Sequence, residues 1–326
     1  MMTIGIDVSK DKLDVLWLKE VARRKVKTRV FKNQESAYQQ LVAWALKNTQ
    51  ADLSEVQFVM EATGIYHEPL AYALFELGAN VYVVNPAKVK SHAQGLGVHS
   101  KTDKKDSFVI AHYGATMQPA LWRPEPVEIR ELKALIARLQ AVEKDLQRER
   151  NRQEKARFSH VSEPVQASIA AMIDVLTRQK AALQTEIDRH IDSYPPLKKD
   201  RGLLQTIPGI GAVLSTLMLA VLRSRGFEHA SQCSAFLGLN PVQHESGTSV
   251  KKRPHLSKRG DGKTRAKLYF GAVTATQHNP DIKAQYERLL KNGKCKMSAL
   301  GAAMRKLVQI CFGVLKHQSE YRPQVA

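Results

Sequence analysis

A chain of 326 residues, 43% hydrophobic and 25% charged, has the size for two or three domains and the ordinary composition of a folded soluble protein. Fifty Lys and Arg against 31 Asp and Glu leave a net charge of +19, a surplus that calls for a polyanionic partner, nucleic acid being the commonest. A membrane partner is set aside: the most apolar run, 207–222, carries Pro208, Gly209 and Gly211 and falls short of the roughly 18 apolar residues of a span, and the opening MMTIGIDVSKDK is too short and polar for a signal peptide.

Residues 3–8 read as a short apolar strand and 13–18 as a second, separated by the polar turn SKDK. The period-two pattern of Val26, Thr28 and Val30 predicts a third strand over 25–31. A helix follows over 36–46, where Tyr38, Leu41 and Leu46 share a face. Then come a buried strand at 56–60, a helix near 66–77, and a strand at 80–84 ending in Asn85-Pro86. Leading strands followed by strand–helix alternation predict a mixed sheet with helices packed on it, over a first domain of residues 1–126.

The Pro-rich piece 117–128, MQPALWRPEPVE, reads as a connector. Beyond it Leu132, Leu135, Leu139, Val142 and Leu146 repeat at three and four residues, the spacing of a coiled coil. The pattern breaks near 159–164, resumes with Ile169, Ile173, Leu176, Leu183 and Ile187, and stops before Pro195-Pro196. A second region, 127–194, is therefore a helical hairpin. It serves either as a dimerising coiled coil or as a plain subdomain packed on its own chain. The last region, 195–326, reads as mainly helical and basic, with IPGIG at 207–211, LSKRGDGKTRAKLY at 256–269 and a closing apolar helix at 300–315. Its cysteines, Cys233, Cys295 and Cys311, have neither CxxC spacing nor an even count, and read as reduced thiols of a cytoplasmic protein without a zinc site.

Carboxylates sit where a rigid scaffold would hold them. Asp7 ends the first strand in GIDVSKDKLDV, Glu61 ends a later one in VMEATG, and Asp103 and Asp106 stand three apart at a helix start in KTDKKDSFVIA. A carboxylate among apolar neighbours costs energy unless it meets a cation, and the three-residue spacing turns both helical acids to one side. Two bridged divalent ions would clamp the attacking and leaving oxygens of a phosphodiester, and magnesium suits an all-oxygen site. Each acid alone also reads as a turn residue, an N-cap or a partner of the helix dipole.

The segments GIDVSKDKLDV, MEATGIY, NPAKVKSHAQ and KTDKKD resemble the DEDD-type, RuvC-like domain of a family of bacterial insertion-sequence transposases. IPGIG, FLGLNPVQHESGTSV and LSKRGDGKTRAKLY resemble the C-terminal transposase domain of the same family, in the same order. The resemblance implies an RNase H-like fold joined to that domain, and Mg²⁺ ligands at Asp7, Glu61, Asp103 and Asp106. Ser107 departs from the pattern, because the family usually has Ala after the last Asp. The family also implies that the serine of the ESG motif, Ser246 here, attacks DNA to give a phosphoserine link, although spacing alone leaves Thr248 and Ser249 open. Its members resemble recombinases guided by a structured noncoding RNA, and they include pilin-gene DNA invertases.

An unassisted serine hydroxyl needs a base or a metal. Glu245 and His244 are adjacent in sequence, but neighbours on an extended segment face opposite ways, which leaves the metal cluster as the activator. Gly247 would admit a phosphate, and Lys251, Lys252 and Arg253 would offset charge on phosphorus. Gly209 and Gly211 of IPGIG resemble a helix-hairpin-helix turn whose amides hold a phosphate, or else form an ordinary turn. Lys258, Arg259 and Arg265, with Lys88, Lys90 and Lys101 near the acids, read as backbone-phosphate contacts. The expected partners are donor and target DNA, a guide RNA, and further copies of the chain, as a dimer or tetramer built through the coiled coil. The competing readings are a junction-resolving nuclease that uses water, an invertase of the same family, and a scaffold that binds nucleic acid without cutting it.

Overall fold

A computed structural model of the chain describes residues 1–98, 102–246 and 250–324; Lys101, Gly247, Thr248 and Ser249 lie outside the described residues, as do the side chains of Ser246, Lys251, Lys252 and Arg253. The chain forms two compact units, Met1–Pro124 and Glu125–Ala326.

In the first unit the sequence alternation becomes β1 (Met2–Val8), β2 (Lys12–Glu20), β3 (Lys25–Lys32), β4 (Val56–Glu61) and β5 (Asn80–Val84). They form one sheet in the order β3-β2-β1-β4-β5. β1 pairs antiparallel with β2 and β2 with β3, whereas β1–β4 and β4–β5 are parallel. This is the RNase H-like mixed sheet expected from the sequence.

Because side chains alternate across a strand, each strand serves two layers. Ile4, Ile6 and Val8 of β1 and Phe58 and Met60 of β4 pack with Leu41, Leu70 and Leu74 of helices α1 (Glu35–Thr49) and α2 (Glu68–Glu76). On the opposite face, Val59 and Val84 pack with Val89 of α3 (Pro86–Gly95) and with Val109, Ile110 and Tyr113 of α4 (Asp103–Met117). Thr3, Gly5 and Asp7 alternate with the first set and so belong to the α4 side.

In the second unit α5 (Val127–Phe158) and α6 (Glu163–Ser193) form the helical hairpin, with Pro164 in the first turn of α6, where its missing N–H costs nothing. Its base shares one core with the C-terminal helices: Ile129, Leu132, Ile187 and Ile191 pack in a cluster with Leu204, Met218, Leu268 and Leu307. Those helices are α7 (Pro195–Gln205), α8 (Ala212–Arg223), α9 (Ala230–Phe236), α10 (Gly262–His278), α11 (Pro280–Lys291) and α12 (Lys296–His317). The structure adds a two-stranded hairpin, β6 (Pro241–Ser246) and β7 (Val250–Leu256), to a region that reads from sequence as mainly helical.

One expectation is corrected. No stretch reads from sequence as a spanning helix, yet α12 is long and apolar enough to cross a bilayer by length and composition. The cause is packing within the unit: Leu300, Met304, Leu307, Val308 and Cys311 face its core, and a core helix meets the same test.

Candidate active site

The first unit brings the acids together through two glycines. A Cβ on Gly5 would lie 2.4 Å from the Ser107 carbonyl oxygen and 2.5 Å from the Ala111 nitrogen, and one on Gly114 would lie 2.5 Å from Val59 Cγ2. Hydrogen at both positions lets α4 lie flush on the sheet. It also explains the small residue at position 107, since Ser107 is 1% exposed.

Thr102 caps α4, which places Asp103 and Asp106 in its first turn. Asp7 lies directly opposite Asp14 in the β1–β2 register, and Glu61 closes β4 one position beyond the Ile6–Met60 pair. Burial, and after it the negative charges of Asp106, Asp103, Asp14 and Glu61, push the Asp7 carboxyl up to about 6. The four acids singled out from the sequence therefore act on one another, and Asp14 joins them as a fifth.

A cation is already present. The Lys12 ammonium donates to Asp103 and lies 3.1 Å from Asp14 Oδ2, and these two hydrogen bonds raise its own pKa. Among the described residues, no group of three acids, histidines or cysteines is placed to hold a metal ion.

The loops behind the acids share one strut, Asn33. Its Nδ2 donates to the Ser9 carbonyl at 2.9 Å and to the Tyr66 carbonyl at 3.0 Å, and its Oδ1 accepts from the Tyr38 hydroxyl at 2.8 Å. Ser9 follows Asp7 and Tyr66 follows Glu61 on their respective chains of approach, so one amide ties both site loops to α1. Asp14, Lys12 and Asn33 are missing from the sequence-derived set. Only Asp14 has a local signal, because a tight SKDK turn folds LDV back onto IDV.

In the second unit Glu245 and Ser246 close β6. Ser246 pairs with Val250, Glu245 with Lys251 and His244 with Lys252, so the backbone of Ser246 belongs to the last pair of the ladder. Lys251, Lys252 and Arg253 lie on β7.

The basic loop 257–261 is stitched to FLGLN by bonds from Ser257 N to the Asn240 carbonyl at 2.9 Å and from Lys258 N to the Gly238 carbonyl at 3.1 Å. Gly238 and Gly260 cross there at positive φ, and a Cβ on either would meet backbone within 2.2 Å. Arg265 donates to the Leu237 and Gly260 carbonyls, which gives this residue a structural task beside any phosphate contact. Lys258 and Arg259 are exposed, as are Lys88 and Lys90 on α3.

IPGIG forms the turn between α7 and α8, and Gly211 is the exposed N-cap of α8 with open space at its Cβ position. Gly209 has φ +102 and packs against α10, 2.7 Å from the Gly271 carbonyl at its Cβ position. Of the two turn glycines, Gly209 is the one that packing requires to lack a side chain, whereas Gly211 has open space at that position.

Comparisons with known proteins match two regions of the chain. Residues 4–156 match a family described as Transposase, and residues 201–287 match the Transposase IS116/IS110/IS902 family. The pilin gene-inverting protein of Moraxella bovis is 30% identical over 324 residues, covering 99% of this chain and 98% of that one. The transposase for insertion sequence element IS1111A of Coxiella burnetii is 24% identical, covering 98% and 91%. Among solved structures, Thermus thermophilus RuvC in complex with a Holliday junction substrate aligns with 37% of this chain and 99% of its own, at 16% identity and a TM-score of 0.28. This chain belongs to the IS116/IS110/IS902 family of transposases, enzymes of DNA strand cleavage and transfer.

Proposed function

We propose that the protein is an insertion-sequence recombinase that cuts and rejoins DNA through a serine ester. The reaction begins with the Ser246 oxygen forming a bond to phosphorus of a DNA phosphodiester. The bond from phosphorus to the 3′ oxygen breaks, and that oxygen leaves with a proton as a free 3′-hydroxyl. Attack by a 3′-hydroxyl on the phosphoserine then reverses the step at a new junction, so the bond energy is stored and no nucleotide cofactor is required.

The observation that carries this reading is the convergence of acids on Asp7, whose carboxyl is pushed up to about 6 by burial and by its four acidic neighbours. The donors of these acids are all oxygens, a chemistry that suits a hard divalent ion. Asp7, Glu61, Asp103 and Asp106 would hold Mg²⁺, which supplies Lewis-acid stabilisation of phosphoryl oxygens and favours the ionised hydroxyl. The chain's own part is to fix these acids on a rigid sheet and to offer the exposed cations Lys88, Lys90, Lys258 and Arg259 to backbone phosphates.

Two exchanging duplexes need several active sites, which favours a dimer or tetramer formed through the α5–α6 hairpin. Only 6% of residues are aromatic and no base-reading helix stands out, which favours delegation of sequence choice to a guide RNA in the cytoplasm. The near full-length likeness to a pilin gene-inverting protein supports inversion as a second reading. Inversion and transposition use the same bonds and differ in which ends are joined.

The test is incubation with Mg²⁺ and end-labelled DNA, followed by denaturing electrophoresis. Label should stay with the wild-type protein and be absent from Ser246→Ala. Undiminished cutting by Ser246→Ala would replace this mechanism with hydrolysis by water. Sequencing of RNA that copurifies with the protein tests the guided version, which random cellular RNA would overturn.

A further inference from the structure

The β2–β3 hairpin forms the free edge of the N-terminal sheet, because β3 is the terminal strand. Lys19, Arg23, Arg24, Lys25, Lys27 and Arg29 cluster on it, and all are exposed. Among the described residues the salt bridges of these cations go to Glu20 alone, from Arg23 at 3.2 Å and Lys25 at 3.6 Å. None of these six belongs to the acid site or to the basic loops of the second unit.

Three of them form a row. Lys25, Lys27 and Arg29 alternate along β3, with Glu20, Trp17 and Val15 as their partners on β2. Two residues of strand advance about 7 Å, close to the separation of successive phosphates along a nucleic-acid backbone. The row continues into Phe31 on the α1–α2 face, and it runs toward the strand end where Lys32 pairs with Lys12 on the opposite, acid-bearing face. A backbone lying on this edge would thus run along the α1–α2 face toward the end of the sheet where the acids stand on the other face.

The chemistry of the surface selects the kind of strand. Binders of single-stranded nucleic acid combine cations with exposed aromatic platforms on which bases stack. Here Lys19 sits over the Trp17 ring at 4.9 Å, and Arg29 over the Phe31 ring at 4.9 Å, with Phe31 itself buried. The residues left outward are cations, Thr28 and small or aliphatic groups. A cationic row without a stacking platform suits a duplex, whose bases are already stacked and whose phosphates face outward. A single charge suffices to discourage another strand from pairing with a sheet edge, so six exceed that need.

We propose that this edge is a docking rail for the sugar–phosphate backbone of duplex DNA, running toward the end of the sheet that carries the acids. The proposal rests on DNA being the substrate and adds to it a surface outside both catalytic regions.

The test uses the full-length chain without divalent ions, to prevent cutting, and duplex DNA of random sequence. Binding is measured across a salt series for wild type and for K25Q/K27Q/R29Q. Each lost phosphate contact should flatten the plot of log K against log salt by about 0.9, so the triple variant should lose about 2–3 in slope and bind at least about tenfold more weakly near 0.1 M salt. The variant K283Q/R288Q/K291Q on α11 removes the same number of exposed charges elsewhere and should leave the slope nearly unchanged.

An unaltered slope in the hairpin variant, or equal losses in both triples, overturns the rail while leaving the recombinase reading intact. A loss seen only with single-stranded RNA overturns the choice of duplex. No binding of DNA by the wild type would remove the substrate reading and the rail with it. Because the three side chains are exposed, melting temperature should stay at the wild-type value, which separates lost contacts from lost fold.

Discussion

Asp7 and Asp14 face each other directly across the β1–β2 ladder, two carboxylates on the α4 side of one antiparallel pair. Like charges so placed destabilise a sheet by about 0.2–1 kcal/mol. Asp14→Asn should therefore raise the melting temperature of the metal-free protein by about 1–4 °C and return the Asp7 carboxyl toward its ordinary range. It should also shrink the gain in melting temperature on adding Mg²⁺. Calorimetry with and without Mg²⁺ measures both, and an unchanged or lower metal-free midpoint would show that the pair is not repulsive.

Gly5 decides whether α4 can carry its acids to the sheet. Gly5→Ala would set a methyl 2.4 Å from the Ser107 carbonyl oxygen, a backbone atom that cannot turn aside. The expected cost is about 1–3 kcal/mol, the range for forcing a group into a packed core. Gly95→Ala on α3 has open space around its Cβ and should cost nothing of that kind. Thermal melts of both variants check the contrast. Strand cleavage should fall further for Gly5→Ala than its stability loss explains, since Asp103 and Asp106 are displaced with the helix.

The sheet was legible in the sequence because its signals are local: KVKTRV alternates with period two, and the runs at 3–8 and 56–60 are short and apolar. Asp7 and Glu61 stood out as acids at the ends of apolar runs. Asp14 did not, since a polar residue inside a strand is the normal outward position, and its role follows only once the SKDK turn is used to set its register against Asp7. Asn33 was illegible because its partners at Ser9 and Tyr66 lie 24 and 33 residues away. The β6–β7 hairpin was hidden for the opposite reason: HES and KKRPH carry no apolar alternation, so nothing local separates a strand from a polar loop. Gly209 and Gly211 look equivalent in IPGIG, and only the packing of α10 distinguishes them.

His92 and His112 make α3–α4 packing sensitive to acid. His92 Nε2 and His112 Nδ1 are 2.9 Å apart, with Tyr113 edge-on to the first ring and Phe108 beside the second. Burial pulls both below the usual histidine value, and for His112 the charges of His92 and Arg24 pull the same way. A depressed folded pKa contributes stability that is present above the unfolded value of about 6.5 and is lost as pH falls through the folded value. Asp7 runs the other way, losing stability as pH rises from about 4 to about 6. The difference between wild type and His112→Gln isolates the histidine pair. Wild type should lose melting temperature below about pH 6.5 more steeply than the variant, and parallel curves would refute the coupling.

Lys12 competes with any divalent ion for the acids it touches. Its ammonium bonds to Asp14 and Asp103, two of the carboxylates that raise Asp7, so it occupies part of the charge a metal would use. Removing the cation while keeping its length, in Lys12→Met, leaves a more negative cluster. The metal-free protein should melt at a lower temperature, because the repulsion among the acids is no longer offset. Mg²⁺ or Mn²⁺ should bind severalfold more tightly, with a larger rise in melting temperature on binding. Lys12→Arg keeps the charge and should keep the wild-type affinity. Calorimetric titration of the three proteins with Mn²⁺ reads the competition directly. Weaker binding by Lys12→Met would mean that Lys12 holds the acids in place for the metal rather than standing in for it.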